Sequence, residues 1–264
     1  VNNPEDVAQF NRAVKVLRQR QNSSGGFGVW EATSESSTFV SLYAADFLLE
    51  ARARGFNVPE DMLNYVNRYL SSVAGNSATQ GLRELRNRAY AIYLLTGQGV
   101  VTANYLSDVR ERLHTYFEKD AWPKDIIGAY MAATHKLLQE NEKAKELIAK
   151  QPWLTLDKTW QTYDGYFDPL THDAQYLNLP IKHFPERFKE IPADLLVNMG
   201  MKLKEERYNS LSAALLLRAL DNYDKYAQGK ITITATARYN AEKTELLEML
   251  GKPPRADVEM GVVD

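Results

Sequence analysis

Five short segments of the chain share one pattern of small and aromatic residues: Leu42-Tyr43-Ala44-Ala45, Arg88-Ala89-Tyr90-Ala91, Gly128-Ala129-Tyr130-Met131, Asp173-Ala174-Gln175-Tyr176 and Leu211-Ser212-Ala213-Ala214. The four tyrosines, Tyr43, Tyr90, Tyr130 and Tyr176, are 47, 40 and 46 residues apart. Each step holds two helices and two turns. A unit of that length cannot bury its apolar face alone, so neighbouring units must stack. Between the Ala-rich segments lie more charged ones, such as Ser107 to Lys119. That alternation predicts an inner layer of small-residue helices and an outer layer of charged ones. It favours a closed α/α toroid of about five to six helical hairpins over an open solenoid.

Local signals divide the chain accordingly. Pro4-Glu5-Asp6 opens a helix running to Gln21, with Val7, Phe10, Ala13, Val14 and Leu17 at helical spacing. The segment Gln21 to Trp30 follows as a glycine-rich turn that presents Phe27 and Trp30. Ser36 to Thr38 then cap a helix that stops at Gly55. Further helices are expected from Pro59, from Leu82 to Leu95, from Thr102 through Phe117, and from Lys124 to Leu138 with Pro123 at its start. Asn141 to Lys150 is a short charged helix, and residues 152 to 170 a long aromatic loop. Helices resume over Thr171 to His183, Pro192 to Glu206 and Ser210 to Tyr226, with Pro180 ending or kinking the first. After Gly229 the period changes from helix-like to strand-like over Ile231 to Tyr239. The expected domains are therefore a helical one over 1–229, and over 230–264 the start of a β domain or an extension.

Composition narrows the chemistry. The formal charge is −2, with Lys and Arg spread throughout, so no basic stripe tracks a nucleic acid. The absence of cysteine excludes a disulfide, a thiolate ligand, a Cys nucleophile or a thioester within these residues. The chain opens on Val1 and carries no signal or membrane-spanning run; it reads as a piece of something longer. His114, His135, His172 and His183 form no metal-binding spacing and read as caps and surface imidazoles. Asp157, Asp164, Asp168 and Asp173 could supply a pair of glycosidase carboxylates beside Trp153 or Trp160, but read first as loop and cap residues. Phe27, Trp30, Tyr43, Phe47 and Tyr90 read as packed core rather than as the lining of a cavity. No catalytic, cofactor or metal residue is assigned.

Four segments resemble the thioester domain of the α2-macroglobulin and complement C3 superfamily, especially its bacterial periplasmic branch. They are "RQNSSGGFGVW" leading to "TFVSLYAADFLLEARARGFNVP" (Arg20 to Pro59), "LRNRAYAIYLL", "HDAQYLNLPIKHFPERF" and "NSLSAALLLRALDNY". The resemblance covers about residues 5–239 and implies an α/α toroid followed by a CUB-like β domain. It implies a non-enzymatic role in protease inhibition by trapping, in the periplasm and with a tether outside this chain. The implied partners are neighbouring β domains of the same longer chain and target proteases. The family's Cys-x-Glu-Gln motif has no match here. Either it lies before residue 1, or this is a relative that lacks it and captures non-covalently. A carbohydrate-active toroid enzyme using the loop aspartates is the alternative.

Overall fold

The computed structural model describes residues 3–32, 36–78, 81–116, 122–151, 153, 169–204, 208–226, 237–240 and 243–246. The described residues are mostly helical and fall into two compact units that divide between Leu147 and Ile148.

The first unit contains α1 (Pro4–Arg20), α2 (Thr38–Ala53), α3 (Glu60–Ala74), α4 (Leu82–Gly97), α5 (Ala103–Tyr116) and α6 (Ile126–Leu137). In α1 the Asn3 side chain accepts from the Asp6 amide at 2.8 Å. Acids occupy its first turn and arginines its last, as the helix dipole favours. The helices layer as their composition requires. The Ala-rich α4 packs against α2 and α6, while α3 and α5 pack on it from outside. Every residue from Leu85 to Thr96 of α4 is buried. Small side chains such as Ala89 and Ala91 let neighbouring helices approach closely enough to fill the interior. The repeat read from the sequence is thus physical. Tyr90 of α4 and Tyr130 of α6, aligned one unit apart, stack with ring centroids 4.8 Å apart, and Tyr93 leans on Tyr130 at 5.7 Å. The fold is all-α, with the inner and outer helices expected of α/α-toroid hairpins.

Two local expectations need correction here. Pro123 does not open a helix at Lys124. It sits in a 3-10 turn, Trp122–Lys124, and the helix starts at Ile126 after Asp125, whose carboxylate accepts from the Ile127 amide at 3.1 Å. A carboxylate cap outcompetes the proline signal because it satisfies a free amide. At α2, Ser37 takes the cap position but its side chain makes no capping bond. Ser41 instead donates its hydroxyl to the Ser37 carbonyl at 2.8 Å.

Helix α7 (Asn141–Ala149) crosses the division between the units. The second unit holds α8 (Pro169–His183), a 3-10 stretch Pro185–Glu190, α9 (Ala193–Lys204) and α10 (Ser210–Tyr226), with α8 packed on α10 and α9. Pro180 neither ends nor breaks α8, which runs on to His183. It lies in the last turn, and its carbonyl accepts from the Phe184 amide at 2.8 Å. Asn209 caps α10, accepting from the amides of Leu211 and Ser212. Most of the expected aromatic loop lies outside the described residues; α8 already begins at Pro169. The strand expected over Ile231 to Tyr239 is described only from Ala237. There β1 (Ala237–Asn240) pairs antiparallel with β2 (Lys243–Leu246).

Candidate functional site

The glycine turn is a rigid junction. Gly25 has φ +93°, and a Cβ there would lie 2.0 Å from the Tyr65 carbonyl oxygen. Only glycine fits both the conformation and the space. Asn22 Oδ1 accepts from the Ser24 and Gly26 amides at 3.0 and 3.1 Å. Gln21 Nε2 donates to the Met62 carbonyl at 3.2 Å, and the Phe27 amide donates to Ser41 Oγ at 2.8 Å. The turn therefore ties α1, α2 and α3 together. It buries Phe27 and leaves Trp30 85% exposed. The five aromatics read as core separate accordingly. Phe27 and Tyr90 are core, Tyr43 is half-buried, Phe47 is 36% exposed, and Trp30 is a surface residue. Among the described residues, Val29 to Ala32 next to Trp30 form no helix or strand.

Charged groups are buried in the first unit where the sequence gives little warning. Arg86 and Arg88, inside "LRNRAYAIYLL", both point into protein. The Arg86 guanidinium meets Asp125 at 2.6 Å, and Asp125 is 1% exposed. Arg88 donates to the Ala74 carbonyl at the end of α3 at 2.9 and 3.1 Å, and pairs with Asp108 of α5 at 2.7 Å. Tyr90 donates to Asp46 Oδ2 at 2.6 Å, joining α4 to α2. These bonds fix helix register. Buried charge is tolerated only when paired in this way.

The histidines carry no common centre. His114 is exposed. His135, near the end of α6, meets Glu140 at 2.5 Å across the turn at Gln139. Burial lowers the His135 pKa, while Glu140 opposes that shift. His172 and Asp173 contact each other at 3.2 Å, and Lys202 of α9 reaches Asp173 at 3.4 Å. His183 lies half-buried at the far end of α8. Among the described residues no cluster of His, Asp or Glu could hold a metal ion. Asp157, Asp164 and Asp168 lie outside the described residues. Asp173, the remaining carboxylate of that set, is buried and ion-paired.

The second unit has its own polar interior. Thr171, His172, Asp173, Gln175 and Asn178 of α8 are all buried, and Asn222 of α10 donates to Asn178 at 2.8 Å. Arg187 donates to the carbonyls of Ile148 and Gln151, so a cation meets the C-terminal end of α7. It also pairs with Glu190 at 3.0 Å and lies over the Trp153 ring at 4.7 Å. Trp153 packs edge-on against Tyr176 at 6.0 Å. Burial pushes the Tyr176 phenol up to about 12. These groups hold helices together; no arrangement of nucleophile, base and orienting partner is formed by them.

Comparison with known proteins fits that picture. No family model matches the chain. It is 37% identical to an α2-macroglobulin homologue of Yersinia pestis over 226 residues, 84% of this chain and 11% of that protein. It is 31% identical to an α2-macroglobulin of Pasteurella multocida over 262 residues, 96% of this chain and 14% of that protein. The chain thus spans only a small part of the relatives' length. In structure it resembles native Escherichia coli α2-macroglobulin from domain MG7 to the C-terminus, with TM-score 0.64, 19% identity, and coverage of 94% of this chain and 39% of that one. A Salmonella α2-macroglobulin reacted with methylamine matches with TM-score 0.64 and 18% identity over 94% of this chain and 16% of that one. The homologues of this chain are bacterial α2-macroglobulins, and it corresponds to one helical segment of those longer proteins.

Proposed function

We propose that this chain is the helical, thioester-domain-like part of a bacterial protease trap, and that it acts without catalysis. The observation that carries the reading is the alignment of nearly the whole chain with bacterial α2-macroglobulins. The interior described above supports it. Its buried polar groups are spent on ion pairs and caps between helices, as a rigid scaffold requires. A protease cleaves the longer protein elsewhere, its domains rearrange, and the helical part helps to enclose the attacker. With no cysteine in these residues, this segment holds no thioester of its own. The proposal includes a domain over residues 1–229 and the beginning of a β domain over 230–264, which the β1–β2 hairpin supports. It also places the protein in the periplasm, with neighbouring β domains and proteases as partners.

The test uses the full-length protein with trypsin. Trapped protease keeps its activity on a small chromogenic peptide and loses it on a large protein substrate. Equal loss on both, or no loss on either, rejects the trap. Prior treatment with methylamine separates two mechanisms. Unchanged trapping supports non-covalent enclosure; loss of trapping assigns capture to a thioester outside these residues.

A further inference from the structure

We infer that Arg187 guards the chain against proteolysis: it straps down the backbone at the end of α7 and so withholds the Lys150–Gln151 bond from proteases that cut after lysine. Lys150 is exposed and lies directly after α7, close to the division between the two units. An exposed lysine at such a junction is an ordinary target for these enzymes. To be cut, the bond must first leave its turn by local opening. The rate of cutting then follows how often this stretch opens.

The backbone is tied on both sides of that bond. The Ile148 carbonyl accepts from the Gln151 amide at 3.2 Å and also from Arg187 Nη1. Arg187 Nη2 donates to the Gln151 carbonyl at 3.4 Å. One guanidinium thus holds a carbonyl before the bond and a carbonyl after it, and Gln151 itself is buried. The clamp is anchored in turn. Its Nε donates to Glu190 at 3.0 Å, and its Cζ lies 4.7 Å from the centre of the Trp153 ring, which packs on Tyr176 of α8. Arg187 comes from the 3-10 stretch Pro185–Glu190, 39 and 36 residues from the two carbonyls it holds, so local opening at Lys150 must break contacts made across the second unit. A planar fork of donors can hold two carbonyls at once, which a single ammonium does poorly. Both bonds are charge-assisted and withdrawn from water. The strap protects this bond whether or not the longer protein traps a protease.

The experiment treats the full-length protein with trypsin and follows cleavage after Lys150 and after Lys225 by mass spectrometry of the peptides. Lys225 is the control, because it lies in the last turn of α10 with its side chain 55% exposed. Arg187→Met removes the guanidinium and keeps an apolar side chain on Trp153. Cleavage after Lys150 is expected to quicken about tenfold or more, with cleavage after Lys225 unchanged, since losing a hydrogen bond to a charged group shifts opening by at least about that factor. Arg187→Lys keeps the charge without the fork, and its rate after Lys150 is expected to fall between the two. Amide hydrogen exchange along α8 reports whether the second unit is intact. Where Arg187→Met loses that protection, Arg187→Lys decides alone. Cleavage after Lys150 as slow in Arg187→Lys as in the unaltered protein overturns the inference, and so does a rise by the same factor after both lysines.

Discussion

Asp125→Ala is the sharpest single test of the buried framework. Asp125 faces Arg86 with contacts of 2.6 and 3.2 Å, and both side chains are withdrawn from water. Its carboxylate also caps α6 through Ile127. Removing it deprives a buried guanidinium of that carboxylate and frees an amide. Breaking one side of a buried ion pair costs about 3–5 kcal/mol, and loss of a cap costs about 1 kcal/mol. Both losses fall on one site and do not add fully, so about 3–5 kcal/mol is expected for the variant. That is a large share of the total stability of an ordinary domain, about 5–15 kcal/mol. Urea unfolding reads it through Trp122, which is buried three residues before Asp125, with Trp30→Phe as background to remove an exposed emitter. With a slope of about 1–3 kcal/mol per molar urea, the midpoint falls by about 1 M or more. Arg86→Met combined with Asp125→Asn removes both charges while asparagine keeps the cap. The pair is expected to cost less than Asp125→Ala alone. A loss below about 1 kcal/mol for Asp125→Ala, or a double variant as costly as the two singles summed, refutes the reasoning.

Gly25→Ala is expected to destabilise the first unit severely, since the added methyl meets the Tyr65 carbonyl; urea midpoints check this. Tyr90→Phe removes the bond to buried Asp46 and is expected to cost about 1.5–3 kcal/mol by the same assay. His135 has its pKa lowered chiefly by burial, so between its folded value and the unfolded value of about 6.5 the unfolded chain binds more protons. Its stabilising effect is present above that window and is lost as pH falls through it. His135→Gln is expected to flatten stability against pH on the acid side of 6.5, and an unchanged profile contradicts this. Tyr176 has the opposite window. Its folded pKa of about 12 exceeds the unfolded value, so its contribution is lost as pH rises from about 10 toward 12, and Tyr176→Phe is expected to remove that alkaline loss.

The repeat of small-residue helices was legible because packing density imposes it. Ala89, Ala91, Ala129 and Ala132 are all buried in α4 and α6, which pack on each other. The glycine turn was legible for a similar reason, since a positive φ pressed against a carbonyl leaves few other residues. The buried arginines were not. Arg86 and Arg88 look like the polar face of a surface helix, and their partners Asp125, Asp108 and the Ala74 carbonyl lie 39, 20 and 14 residues away. Only tertiary structure brings them together. Trp30 misled in the other direction. Its aromatic character suggests core, but nothing in its local sequence fixes where an irregular segment points. Pro180 and Pro123 show the limit of proline as punctuation, because its effect depends on position within the turn. Arg187 was hidden as Arg88 was: both donate to backbone carbonyls, which leave no trace in side-chain pattern.

The proposed trap requires that the longer protein retain a protease. Native mass spectrometry of the full-length protein after exposure to trypsin measures it. The predicted result is a complex heavier by intact protease, which persists in native buffer. A cleaved protein of unaltered or reduced mass, with all the protease recovered free, contradicts it.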